Sequence, residues 1–348
     1  MPIERTRKVS QQDIARDLGV SQALVSMALG GQSEGIHPET FRRIRARAAS
    51  LGYRSRGGAN GSGLTQVGFV LRPGHTLYSQ SSVFSHIQHG LHSFLEKEGI
   101  STLFLGTVTG IRENHFRSLA RHRHTLLGAV VMGEVDPEFV HQLKTHFSRL
   151  VTVAASCPGY CHTVRNNEAQ TMELLVEHLT GLGHRSFAWI GGNIGSRTLD
   201  RRWEALQQAL HRRGLECTGE CIELFGNPKQ REGQEAARRL LDRFGKNPPT
   251  AWITYNGRMA RGAVNHLLAR QIEVPGAISV AACDGTYICE DEEPTLTGAY
   301  ADPEKIGAVA GRLLLESTGK EDEAYNEVTL PAILQVRDSS GPPPDRAE

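Results

Sequence analysis

The feature that most constrains this chain is the alternation of short apolar runs with amphipathic stretches from Val67 to Gln335. Val67–Leu71 (VGFVL) has the length of a buried strand. Phe84–Lys97 then sets Phe84, Ile87, Leu91, Phe94 and Leu95 on one helical face. Strand Ser101–Gly106, a helix around Glu113–Arg121, strand Leu127–Met132, helix Pro137–His146 and strand Leu150–Ala154 follow. The rhythm restarts at Asn167, with helices Glu168–Leu182, Arg202–Arg213, Arg231–Phe244 and Met259–Arg270 leading to strands Ser186–Ile190, Glu220–Leu224, Ala251–Thr254 and Ile278–Ala282. Helix Pro303–Glu316 and a strand Glu327–Gln335 complete it. Such alternation builds parallel sheets flanked by helices. Two tandem units predict two doubly wound subdomains with a cleft at the carboxyl ends of their strands.

The first residues follow a different pattern. In Val9–Leu29, Ser10 can cap a helix and Asp13 sits three residues on, a variant of the capping box. Ile14 and Leu18 form its apolar stripe, and Gly19 ends it in a left-handed turn. Ser21 caps a second helix with Leu24, Val25, Ala28 and Leu29 on its apolar face. This is a helix-turn-helix pattern, whose second helix enters the DNA major groove; an ordinary helical hairpin is the bland alternative. A third helix runs from Pro38 to about Leu51, with Phe41, Ile44, Ala48 and Leu51 inward and Arg42, Arg43, Arg45 and Arg47 largely elsewhere. Those arginines read either as a solvated face or as phosphate contacts.

Charge separates the two parts. Residues 1–56 carry ten Lys/Arg against five Asp/Glu, and the other residues carry 29 against 33. A basic head on a mildly acidic body suits a phosphate-binding head with which the body does not compete. The N-terminus lacks the apolar core of a signal peptide and no apolar run reaches membrane-spanning length, so a cytoplasmic protein without a membrane partner is expected. Its six cysteines are then expected as thiols. Cys157-x3-Cys161-His162 is too loosely spaced, and lacks a second pair, to read as a metal site. No nucleophile elbow or phosphate loop is present, so neither enzyme activity nor a cofactor or metal is expected.

Several fragments occur in the order of a known family: DIARDLGVSQALVSMAL, IHPETFRRI, LGYR, HLTGLGHRSFAWIGG, Arg202 followed by Ala209-Leu210, YNGRMA and VPGAISVAACDG. Together they resemble the LacI-type (lac repressor-like) transcriptional regulators over nearly the whole chain. The resemblance implies a small all-α helix-turn-helix head (1–56), a glycine-rich hinge or linker (57–66) and an α/β periplasmic-binding-protein-like core (67–338). Within the core, an N-subdomain of about 67–165 and 297–325 and a C-subdomain of about 166–296 and 326–338 are expected. The proline-rich tail 339–348 is expected to be disordered.

Roles carried over by the resemblance place Ser10, Ser21, Gln22, Ala23, Ser26, Met27, Arg54 and Arg56 at DNA. Gln22 can pair with an adenine edge, hydrogen-bond more loosely, or lie exposed in a surface turn. Ser21 and Ser26 would reach phosphates, and Ser21 can also serve as a cap. Met27 stands where many members carry a guanine-reading arginine, so its contribution would be apolar, as to a thymine methyl. The family's hinge helix is not expected here. Gly57, Gly58, Gly61 and Gly63 would together cost about 4 kcal/mol in a helix interior relative to alanine, and Leu64 is a doubtful minor-groove wedge.

In the cleft, the resemblance implies that Arg202, Asn256 and Asp284 hold a small, sugar-like effector through donors and acceptors fixed at strand ends. An Arg202–Asp284 salt bridge across an empty cleft is the alternative. Gly257 stands where an acidic residue is usual, and Pro73–Tyr78 replaces the usual ligand-contact turn. Trp203 and Tyr287 could stack on a sugar face or serve core packing. The expected function is that of a homodimeric repressor on a pseudo-palindromic double-stranded DNA operator, nucleoid-associated when bound. A sugar-binding receptor without DNA regulation is the alternative.

Overall fold

The computed structural model describes residues 9–29, 35–51, 66–72, 83–122, 125–154, 157, 159–192, 197–226, 228–320 and 324–345. The chain divides into two compact units, 1–65 and 66–348. The linker 57–65, Arg54, Arg56, Leu64 and the Pro73–Tyr78 turn lie outside the described residues.

In the first unit, α1 (Gln11–Leu18) opens on a complete capping box. The Ser10 hydroxyl accepts from the Asp13 amide at 3.2 Å, and the Asp13 carboxylate accepts from the Ser10 amide at 2.9 Å. Gly19 closes α1 at φ 67°, a left-handed conformation that a side chain would resist. α2 (Gln22–Leu29) and α3 (Pro38–Ser50) follow. Ile14, Ala15, Val25, Ala28, Ile36, Ile44 and Ala48 form the shared core. Arg47 of α3 pairs with Asp17 of α1, and that hydrogen bond pulls the Asp17 carboxyl below its ordinary range.

The second unit contains two lobes. The first lobe begins with β1 (Gln66–Leu71), α4 (Val83–Lys97), β2 (Ser101–Thr107), α5 (Val108–Glu113), α6 (Arg117–Ala120) and β3 (Leu126–Met132). It continues through α7 (Pro137–Lys144), β4 (Leu150–Val153) and β5 (His162–Asn166). The second lobe holds α8 (Glu168–Gly181), β6 (Phe187–Gly191), α9 (Arg197–His211), β7 (Ile222–Leu224), α10 (Gln230–Phe244), β8 (Ala251–Thr254), α11 (Gly257–Ala269), β9 (Ser279–Ala282) and β10 (Thr297–Tyr300). The chain then returns as α12 (Pro303–Glu316) and β11 (Glu327–Leu330) to the first lobe, and ends with β12 (Ile333–Gln335) in the second.

The sheet orders are β11-β5-β4-β3-β1-β2 and β12-β10-β9-β8-β6-β7. All pairings are parallel except the β10–β12 edge. Parallel strands bury both faces, hence the unbroken apolar runs of β1, β3 and β8. Helices cover the faces at close quarters. A Cβ on Gly307 of α12 would overlap the Ile87 carbonyl of α4, and one on Gly262 of α11 would overlap the Gln230 carbonyl of α10.

Several sequence expectations require correction. The helix expected around 113–121 is two short helices, because His115 and Phe116 adopt positive φ between them. Strands β5 and β10 were not anticipated; HTVRN is mostly polar and TGAY is only four residues long. The single strand expected over 327–335 is two strands in different sheets, separated at Pro331-Ala332. The lobe boundaries shift accordingly, with β10 in the second lobe and β11 in the first.

The tail expected to be disordered is ordered through its first residues. Ser339 and Gly341 are buried. The Val280 amide donates to the Ser339 carbonyl at 2.8 Å, and the Gly341 amide donates to Ser279 Oγ at 3.0 Å. His184, fully buried, places Nε2 2.9 Å from the Gly341 carbonyl and Nδ1 2.9 Å from Thr250 Oγ1. Among the described residues, no helix is long and apolar enough to cross a membrane.

Deleting residues 339–348 strips partners from buried groups, each worth about 1–3 kcal/mol when left unsatisfied. The urea midpoint should therefore fall markedly. Burial lowers the imidazole pKa of His184 and of His178 from 6.5. Above 6.5 both states are neutral. Below it the unfolded chain takes up the proton first, so stability should decline as pH falls from 6.5 toward 5. Urea titrations at several pH values should show a shallower decline for His184→Gln.

Candidate functional site

The first unit presents one face of α2 to solvent. Gln22, Ala23, Ser26 and Met27 are exposed, Met27 to 38%, while Val25 and Ala28 face inward. Ser21 caps α2, its Oγ accepting from the Leu24 amide at 3.1 Å. The exposed face therefore offers one amide, one hydroxyl, a methyl and a thioether, without a charge. Ser10 is committed to its capping box, with its hydroxyl 2.6 Å from the Asp13 carboxylate. Arg42, Arg43 and Arg45 are exposed on α3, whereas Arg47 is held by Asp17.

In the second unit, both sheets reverse their strand order at corresponding points, between β1 and β3 and between β6 and β8. Crevices outside the carboxyl ends of strands at such reversals are where open α/β sheets bind ligands. Arg72 follows β1, and its side chain runs over Gly133, after β3; Glu134 comes next. Tyr255 follows β8. Burial pushes the Tyr255 phenol above its ordinary pKa, and its ionisation senses Arg202 and Glu168 from its own lobe and Arg72 and Glu134 from the other. The two reversals thus converge on this ring. The lobes also touch where the His86 ring of α4 lies 4.7 Å from that of Tyr287, which is 55% exposed.

Arg202 does not pair with Asp284. Its Nε donates to Glu168 Oε2 at 2.8 Å, its Nη2 to Glu168 Oε1 at 3.2 Å and its Nη1 to the Tyr255 carbonyl at 2.6 Å. The guanidinium lies 4.6 Å from the centre of the Tyr255 ring. Both charged side chains are only 11% exposed. Burial alone would lower the guanidinium pKa, but the Glu168 charge more than reverses this and the net shift is upward. A bidentate fork of this kind restores in charge-assisted hydrogen bonds part of what desolvation costs.

Asp284 serves the scaffold. Its Oδ2 accepts from the Gly257 amide at 3.0 Å and its Oδ1 from the Thr286 amide at 2.8 Å. Gly257 begins α11, so a carboxylate here also faces the positive end of a helix. A side chain at 257 would collide with Ile288 and Cys289, which accounts for glycine there. Asn256 caps α11, accepting from the Met259 amide at 2.9 Å and donating to the Pro228 carbonyl at 3.0 Å. Trp203 packs against Trp189, with ring centres 6.4 Å apart, so core packing claims it.

Cys283, between these groups at the end of β9, is pushed up to about 12 by burial, with Arg202 opposing. Cys157 and Cys161 are buried in the first lobe's core, and Cys161 is likewise pushed up to about 12 by burial. Sequence reasoning missed Glu168, Tyr255, Arg72 and Glu134. The available signal was a carboxylate, Glu168, in the first turn of the helix that opens the second lobe.

Two sheets meeting at their carboxyl ends, joined in one chain to a helix-turn-helix unit, give a two-lobed α/β fold of the binding-protein type preceded by a small helical unit. The family model described as a periplasmic binding protein-like domain matches residues 176–340. The chain is 24% identical to the HTH-type transcriptional regulator GalR of Lacticaseibacillus casei, over 94% of this chain and 98% of that protein. It is 26% identical to catabolite control protein A of Priestia megaterium, over 95% and 99%. The lac repressor dimer bound to operator and an anti-inducer superposes with a TM-score of 0.70 at 21% identity, covering 96% of this chain and all of that one. Along nearly its whole length the chain is thus similar to regulators of transcription, and its second unit carries the periplasmic binding protein-like domain.

Arg202→Ala would leave Glu168 a buried, uncompensated carboxylate. Breaking such a pair costs about 3–5 kcal/mol. Urea unfolding should show this loss, and Glu168→Gln/Arg202→Gln should recover part of it by replacing the ions with amides.

Proposed function

We propose that this protein is a repressor that binds a pseudo-palindromic operator as a homodimer and responds to a small, sugar-like effector between its lobes. The observation that carries this reading is the exposed row Gln22, Ala23, Ser26 and Met27 on the second helix of a helix-turn-helix. Gln22 supplies a paired donor and acceptor suited to an adenine edge, and Met27 an apolar tip suited to a thymine methyl. Ser21 and Ser26 are the phosphate contacts of this helix, and Arg54 and Arg56 those of the segment after α3. Ser10 is retained as a contact through the oxygen lone pairs its cap leaves free.

Support for the effector comes from the sheet reversals converging on Tyr255. Solved structures of similar fold include a CelR–cellobiose complex (TM-score 0.67, 20% identity, 95% of this chain and 100% of that one) and an Enterococcus faecium regulator with bound ribose (0.67, 20%, 80% and 99%). Arg202 would meet the effector through the donors that Glu168 and Tyr255 leave, whereas Asn256 and Asp284 shape the pocket from behind. An effector acts by binding one arrangement of the lobes more tightly than the other. Such a regulator works in the cytoplasm, at the nucleoid when bound to DNA.

Selection from random duplexes, followed by gel shift, tests this reading. The enriched site should contain inverted half-sites, and binding should weaken steeply with salt. Gln22→Ala should remove about 1–3 kcal/mol of discrimination at one base pair, and Met27→Arg should shift its position toward guanine. Enrichment of no sequence would leave a sugar-binding receptor as the surviving account.

A further inference from the structure

The guanidinium of Arg202 is already answered by a carboxylate from its own chain. Three of its five N–H donors are spent, two on Glu168 and one on the Tyr255 carbonyl. Glu168 lies in the first turn of α8, directly after the passage from β5 into the second lobe. It therefore reaches Arg202 from the connection between the lobes.

The charges gathered at these strand ends point the same way. Arg72 and Arg202 are set against Glu134, Glu168 and Asp284, two cations against three carboxylates. Two neutral polar atoms stand nearby in the chain with no hydrogen-bond partner among the described residues: Asn166 Oδ1, two residues before Glu168, and Thr286 Oγ1, two residues after Asp284. A carbonyl oxygen such as Asn166 Oδ1 can only accept. It is matched by a hydroxyl and repels an anion.

We propose that Glu168 fills the fork of Arg202 as a resident carboxylate and thereby restricts the interlobe site to uncharged polyhydroxyl effectors, excluding acidic or phosphorylated ones. This rests on the reading of the cleft as an effector site and names its chemical class. Glu168 is a specificity determinant through Arg202, and an effector keeps the pair rather than displacing it.

The test uses the full chain. In wild type, formate, acetate and inorganic phosphate should leave the thermal unfolding midpoint no higher than a chloride control of equal ionic strength does. In Glu168→Ala the emptied fork should take up formate or acetate, with affinity at least about tenfold above wild type, the scale of one charge-assisted hydrogen bond. The midpoint should rise accordingly. The double variant Glu168→Ala/Arg202→Gln should lose this response, which a general effect of salt would not. Equal responses in wild type and Glu168→Ala, or none in the variant, would overturn the proposal.

Should Glu168→Ala fail to fold, Glu168→Ser, which is too short to fill the fork, takes its place. Wild type alone offers a second measurement, release of bound DNA by neutral hexoses and pentoses against the matching uronic acids and sugar phosphates. Release by the acidic or phosphorylated member at concentrations similar to its neutral counterpart would overturn the proposal. Release by neutral sugars with no anion uptake by the variant would sink the role of Glu168 and leave the effector site standing. Anion uptake by the variant without release by any sugar would keep the filled fork, but would remove the effector reading and the selectivity built on it.

Discussion

A parallel sheet must be covered on both faces, because its strands are apolar on both. In this protein that requirement is met by helices packed closely enough for glycines to stand at their crossings, as at Gly307 and Gly262. What the helices leave uncovered are the ends of the strands. The lobes turn their carboxyl ends toward each other, and polar chemistry collects where the strand orders reverse. Arg72, Glu134, Glu168, Arg202 and Tyr255 owe their proximity to topology, since they are up to 183 positions apart in the chain.

Within that setting, three of the polar side chains at the strand ends are answered from within the chain. Asp284 accepts from the start of α11, Asn256 caps that helix, and Arg202 is gripped by Glu168. Burying a charge without a partner is costly, so residues brought together at strand ends must satisfy one another. The division of labour is therefore finer than a set of residues all facing a ligand. Asp284 and Asn256 fix the loops, Arg202 and Glu168 set the local charge, and Tyr255 joins the two lobes' fields.

Much of the architecture was legible in the chain. Apolar runs such as VGFVL and helices such as Phe84–Lys97 carry their own periodicity, and the capping box at Ser10 and Asp13 announces α1. The illegible parts have physical causes. β5 is an interior strand made mostly of polar residues, β10 is only four residues long, and Pro331 separates two strands that read as one. The ordered tail was misread because its prolines mask the long-range partners His184 and Ser279. At the site, the resemblance pointed to Arg202 but said nothing about which carboxylate would claim it. That choice depends on where α8 begins in space, which spacing along the chain does not reveal.

The lobes are joined at three places, each only one or two residues long: Asn167 between β5 and α8, Ala301-Asp302 between β10 and α12, and Pro331-Ala332 between β11 and β12. Three taut tethers side by side act like the knuckles of a door hinge. They permit swivelling about a common line while forbidding the halves to drift apart, with the angular change absorbed by a handful of backbone torsions. Asn167 is one of these knuckles and Glu168 its immediate neighbour, so the residue that holds Arg202 is mounted on the pivot itself. Any swing of one half against the other must be felt at that carboxylate, making the pivot and the buried ion pair a single mechanical part.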